Sequence, residues 1–349
     1  MSEASLRPLP LILLLTTLLL LFFVLNLFLG SVVIPPKEIW TVLLQHSDSG
    51  SAYSQIVYQY RIPQAVTAML SGAGLAVAGL YMQTLFRNPL ADPSVLGISS
   101  GASLGVALLL LFSGSAAGSL MAAANLAGQT SLMLAAFAGA VLILLFITWL
   151  SRALPDMVSL LIAGMMIAYV TSALVGIAKY FSQKEDLQAF VLWGMGSFSN
   201  VGLSRLPFFS TMVLLGILAS FFLVKPLNLM LIGERYAANL GVNVKKVRFY
   251  SLLVTGFLTA IITAYAGPVA FIGLAVPHLA RIVFRTGSHL ILLPGCILIG
   301  ASMALACNLL ARLPGLDGNL PVNAITSLIG APMVIWFILK HKHLFHRNV

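Results

Sequence analysis

Apolar residues run through this chain in long blocks, with neither the two-residue alternation of a half-buried strand nor the narrow stripe of a surface helix. Ten blocks stand out, at 9–29, 63–86, 93–112, 132–150, 157–178, 207–224, 249–266, 269–284, 290–311 and 322–339. At about 1.5 Å of rise per residue, some 20 apolar residues match the hydrocarbon layer, so the pattern predicts an all-α protein of ten transmembrane helices. Polar breaks separate them: a segment at 35–60, the tight link RNPLADP, whose Asp92 and Pro93 suit a helix start, and LIGERYAANLGVNVKKVR at 231–248. The last is the main elbow. Residues 234–240 favour a helix, Gly241 suits the left-handed position past its end, and Asn243 is placed to cap the next helix from Val244. The chain reads as one transmembrane domain over 1–349: spans one to six in 1–224, the elbow segment at 225–248, and spans seven to ten with a tail in 249–349. The small-residue stretch at 116–129 receives no assignment.

Composition fixes the solvent. With 60% hydrophobic and 8% charged residues the chain cannot cover a water-facing surface, and membrane lipid is its first partner. The net charge of +10 would suit nucleic acid in a soluble protein, but here the basic residues cluster in short loops, so nucleic acid is set aside. With the amino terminus inside, thirteen of the 19 Lys and Arg fall on inside segments, as the positive-inside rule requires. Both termini and the elbow are then cytoplasmic. Two five-helix halves, each with an odd span count, would be inverted relative to one another. LGI at Leu96 and IGL at Ile272, each a few residues after a proline, echo such a repeat. Cys296 and Cys307 lie eleven residues apart on one predicted helix, about 16 Å along its axis, and cannot pair with each other.

Within the spans, Ala68, Gly72 and Ala76, and again Gly97, Gly101 and Gly105, recur every four residues, a spacing that lets helix backbones approach closely. Ser99, Ser100, Ser103, Thr171 and Ser172 are candidates for the wall of a weakly polar pathway. No Asp or Glu falls in a predicted span, which argues against proton or sodium coupling. A Walker loop is also missing, so any ATPase is another chain. The rival is an intramembrane enzyme, but the chain has no H-E-x-x-H, no C-x-x-C and no paired carboxylates; His278 and Arg281 are the one titratable pair inside a span. No cofactor or metal site is expected.

The runs RIPQAVTAMLSGAGLAVAGLYMQTLFRNPLADPSVLGISSGASLG, GERYAANLGV, AGPVAFIGLAVPHLARIVF, LPGCILIGAS and LPVNAITSLIGAPMVIWFIL closely resemble the FecCD family of permeases. The resemblance covers about residues 10–342. It implies the membrane subunit of a type II ATP-driven importer in a bacterial inner membrane, paired as a homodimer or close heterodimer, with two ATPase subunits below and a substrate-binding protein above. The implied cargo is a ferric siderophore, haem or cobalamin, in that order. Carried onto this sequence, the ATPase-coupling segment falls on Gly233, Glu234, Ala237, Leu240 and Gly241. Arginines that dock the binding protein match Arg61 and Arg312, while a further arginine of some members is Gln64 here. The inner gate aligns with Met157 and Val158, a greasier pair than the polar one of cobalamin members.

Overall fold

In a computed structural model, which describes residues 8–45, 52–122, 126–154, 156–312 and 320–340, each of the ten apolar blocks falls on a helix, and no strand forms among the described residues. The helices are α1 (Pro8–Phe28), α2 (Pro36–Gln45), α3 (Ala52–Gln55), α4 (Ile62–Leu85), α5 (Ile98–Ala122), α6 (Leu126–Ala153), α7 (Met157–Phe181), α8 (Lys184–Gly194), α9 (Leu206–Phe221), α10 (Val224–Ile232), α11 (Glu234–Asn239), α12 (Val244–Ala266), α13 (Ile272–Phe284), α14 (His289–Leu310) and α15 (Val322–Lys340). By length and composition six helical stretches of the described residues can cross a membrane, seven if the pair α9 and α10 is one bent span. Shorter apolar helices, Ile98–Leu111 within α5, α13, and Val322–Phe337 within α15, occupy the other three predicted positions. The extreme termini lie outside the described residues.

The backbone departs from the predicted blocks where polar groups need partners. The segment at 35–60, expected as a polar link, carries α2, α3 and a π-helical turn at Ile56–Arg61 that runs directly into α4, and Ile39, Val42 and Val57 close a small apolar cluster beside it. The third span does not start at Pro93. Asp92 accepts a hydrogen bond from Ser94 N at 3.0 Å, but it caps a 3-10 turn, Pro93–Leu96, and α5 begins only after Gly97 at φ 78°. Burial raises the Asp92 carboxyl above the usual carboxylate range, against the hydrogen bonds from Ser94. On the other side of the predicted echo, α13 likewise starts after a left-handed residue, Phe271 at φ 67°. The sixth span ends at Phe221, and the chain turns by 46° into α10.

α4 is the most enclosed crossing, whereas α1, the greasiest, is the least. Around α4 pack α14, α12, α13 and α9, while α5 lies along α6 and α7. The small-residue stripes are close-packing devices. A Cβ on Gly72 would overlap the Gly300 carbonyl, and one on Gly300 would overlap that of Gly72, so α4 and α14 meet backbone to backbone. Gly101 and Gly139 face each other in the same way across α5 and α6. Without a hydrophobic drive between helices in lipid, such contacts supply dispersion energy that larger side chains would forfeit. The Gly72→Val variant, whose branched side chain has no free volume to enter, is expected to lose about 3 kcal/mol. Thermal melting of the purified protein in detergent checks this, and an unaltered midpoint would show that the crossing opens freely.

Candidate functional site

The elbow is built by local rules. Gly233, at φ 137° and ψ 143°, breaks α10 from α11 in a region of backbone space that side chains avoid. α11 ends as the sequence predicts: Gly241 sits at φ 85°, its N–H donates to Ala238 O at 3.0 Å, and Val242 N donates to Ala237 O at 3.0 Å. Asn243 Oδ1 then accepts from Lys246 N at 3.1 Å and starts α12. Ala237 is buried under the turn, whereas Tyr236 (67% exposed) and Leu240 (61%) project outward. Glu234 takes two bonds from Arg248 Nη2, at 2.8 Å to Oε1 and 2.6 Å to Oε2, and so clips α11 to α12.

Behind the elbow, α10 is tied into the bundle. Asn228 Oδ1 accepts from the His289 backbone N–H at 2.7 Å and lies 2.9 Å from His289 Nδ1, while His289 Nε2 lies 2.8 Å from Thr84 Oγ1. α10, α14 and α4 thus share one imidazole. The intramembrane pair has structural partners too: His278 Nε2 lies 2.7 Å from Pro89 O, its ring packs 4.1 Å from that of Phe337, and Arg281 donates to Gln83 Oε1.

Of the candidate pathway hydroxyls, the structure brings together Ser100, Ser103 and Ser172 on the wall of a cavity of about 500 Å³. The other two turn away. Ser99 Oγ lies 3.5 Å from Thr263 Oγ1, and Thr171, buried, donates back to Ile167 O and Ala168 O at 2.9 Å. Met157 is buried and Val158 exposed on the first turn of α7, where Asp156 accepts from Ser159 N at 3.0 Å. The cavity's other wall, α8, lies between the apolar blocks at 157–178 and 207–224 and belongs to neither, so the block pattern does not show it. Glu185 and Asp186 in its first turn were the available signal, since acids there complement the helix dipole. Asp186, Phe190 and Trp193 form the buried face of α8, and burial, followed by the charge of Glu185, raises the Asp186 carboxyl above its usual range. The far end of α8 is pinned by Val322 N donating to Gly196 O at 3.3 Å and Asn323 N to Met195 O at 3.2 Å.

Arg61 and Arg312 do not have the exposed geometry that docking a soluble partner requires. They are 3% and 5% exposed. Arg61 Nη1 donates to Leu27 O at 2.6 Å and Phe28 O at 2.9 Å, carbonyls left open at the end of α1, and its Nη2 to Val32 O at 2.5 Å in the link that follows. Arg312 Nη1 donates to Gln64 Oε1 at 2.7 Å and its Nη2 to Asn26 Oδ1 at 2.9 Å. The physical reason is the cost of an unpaired buried carbonyl, which a guanidinium with five donors can remove at several atoms at once.

Comparison with known proteins gives a consistent picture. A family model described as the FecCD transport family matches residues 18–340. The vitamin B12 import system permease protein BtuC of Serratia proteamaculans is 36% identical over 341 residues, 95% of this chain and 93% of that protein. The hemin transport system permease protein HmuU of Yersinia pestis is 36% identical over 324 residues, 92% of this chain and 94% of that one. A solved inward-facing structure of a metal-chelate type ABC transporter superposes with a TM-score of 0.81 at 30% identity, covering 95% of this chain and 99% of the other.

Proposed function

Because the chain belongs to the FecCD transport family, and so is a permease subunit of an ABC importer, we propose that it carries an iron chelate, a ferric siderophore or haem, from a binding protein into the cytoplasm by alternating access. Two copies would enclose the pathway, with the apolar face of α7 that exposes Tyr169, Val170 and Ile177 turned toward the second copy. Two ATPase subunits would sit under the elbows, and the binding protein would deliver cargo on the opposite face. Both termini would be cytoplasmic.

The observation that carries the reading is the elbow: the six-residue α11, with Tyr236 and, just past its end, Leu240 exposed, is clipped to α12, while α10 before it is tied to α14 and α4 through Asn228 and His289. A short helix cannot hold its own fold in water, so its contacts transmit whatever moves it. Cobalamin is the second reading, favoured by the relatives named for vitamin B12 import and opposed by the apolar Met157 and Val158. The test is ATP-dependent accumulation of ferric siderophores, hemin and cobalamin by proteoliposomes holding the permease, its ATPase and its binding protein. Accumulation of an iron chelate or hemin is expected; uptake of cobalamin alone would replace this reading with the second.

A further inference from the structure

The cavity between α5, α7 and α8 has an asymmetric wall. Its lining includes the hydroxyls of Ser100, Ser103 and Ser172 and one formal charge, Lys179, in the last turn of α7. The Lys179 Nζ stands 4.3 Å from the centroid of the Phe190 ring on α8. A ring face steadies an ammonium through its quadrupole but adds no countercharge. Among the described residues Lys179 forms no ion pair, and neither Glu185 nor Asp186, the acids nearest in sequence, lines the cavity. A cation on a low-dielectric wall attracts an anion more strongly than it would in bulk water, and the Ser100 and Ser172 hydroxyls can donate to its oxygens, while that of Ser103 donates back to Ser99 O at 3.1 Å and must swing away from it to join them.

We propose that Lys179, with Ser100, Ser103 and Ser172, forms a transit site for anionic cargo, a chelate that presents free carboxylate or catecholate oxygens. The inference rests on the chelate-importer reading and narrows it: hemin, with two propionates, and ferric triscatecholates fit, whereas cobalamin and neutral ferric trihydroxamates do not. It gives the pathway a charge preference of its own, separate from that of the binding protein.

The experiment measures uptake of hemin, a ferric triscatecholate, a neutral ferric trihydroxamate and cobalamin by the complete importer in proteoliposomes, normalised to assembled complex. Two variants separate charge from packing: Lys179→Arg keeps the charge, and Lys179→Met keeps an apolar chain against Phe190 without it. Wild-type uptake of an anionic member is expected, retained by Lys179→Arg and lowered about tenfold by Lys179→Met, the scale of one charge-assisted hydrogen bond. If Lys179 only staples α8 to α7, Lys179→Met carries anionic cargo as well as the wild type does, and the proposal fails. Equal losses in both variants also overturn it. Wild-type uptake of neutral members alone refutes the transit site while leaving the importer intact; uptake of none refutes both readings.

Discussion

Glu234→Lys is expected to leave a folded permease in the membrane and to reduce ATP-driven uptake at least tenfold, about the effect of losing 1.4 kcal/mol from the ordered elbow. The carboxylate holds Arg248 through both oxygens, and the pair is only partly screened by solvent. Reversing the charge sets an ammonium against that guanidinium, with Lys245 and Lys246 close by in sequence. α11 has six residues and is held by this pair, by the buried Ala237 and by the left-handed turn at Gly241, so losing the first releases its start. The coupled variant Glu234→Lys with Arg248→Glu rebuilds the pair in reverse and should recover much of the uptake. Normal transport by Glu234→Lys alone would remove the elbow from energy coupling.

Arg312→Met is expected to act on the fold instead, with a loss of about 3 kcal/mol from two charge-assisted bonds and the amide oxygen left without a donor. The guanidinium closes a polar network that joins three helices. Gln64 Nε2 donates to Asn308 Oδ1 at 3.1 Å, Asn308 Nδ2 to Asn26 Oδ1 at 2.8 Å, and Asn26 Nδ2 to Leu305 O at 3.0 Å, so α1, α4 and α14 share one set of partners. In a low-dielectric interior a partly satisfied network is worse than an apolar one. The measurable outcome is a lower melting temperature in detergent and less permease in the membrane. A variant that melts like the wild type but has lost its binding protein would restore the docking role that the burial of Arg312 argues against.

Which features were legible from the sequence follows from the range of the forces involved. Gly241 and Asn243 were readable because a left-handed turn and a cap involve only four or five consecutive residues. The apolar blocks were readable because each span must satisfy the bilayer by itself. Arg61, Arg312 and Gln64 were not, since their partners lie in other helices and nothing local says that a guanidinium at a span boundary will turn inward. Which of the hydroxyls on α5 and α7 reach the cavity is set by how those helices pack against α8 and α12, which no local pattern states. α8 escaped because its apolar content is too small for a span, although its acidic first turn marked it as a helix.

The enclosure of α4 has a consequence for how the chain is made. Gln64 waits for Asn308, 244 residues later in the sequence, and Gln83 waits for the Leu274 carbonyl, 191 residues later. At translation rates of roughly 5–20 residues per second, the first of these amides goes about 12 to 50 s without its mate. Lipid offers no substitute donor or acceptor in that interval. α4 therefore gains its full set of partners only after α13 and α14 have been made. Until then its amides are expected to stay within reach of water or of the insertion machinery, while α1, which later residues meet by hydrogen bonds at its end, at Asn26, Leu27 and Phe28, is free to enter the bilayer at once.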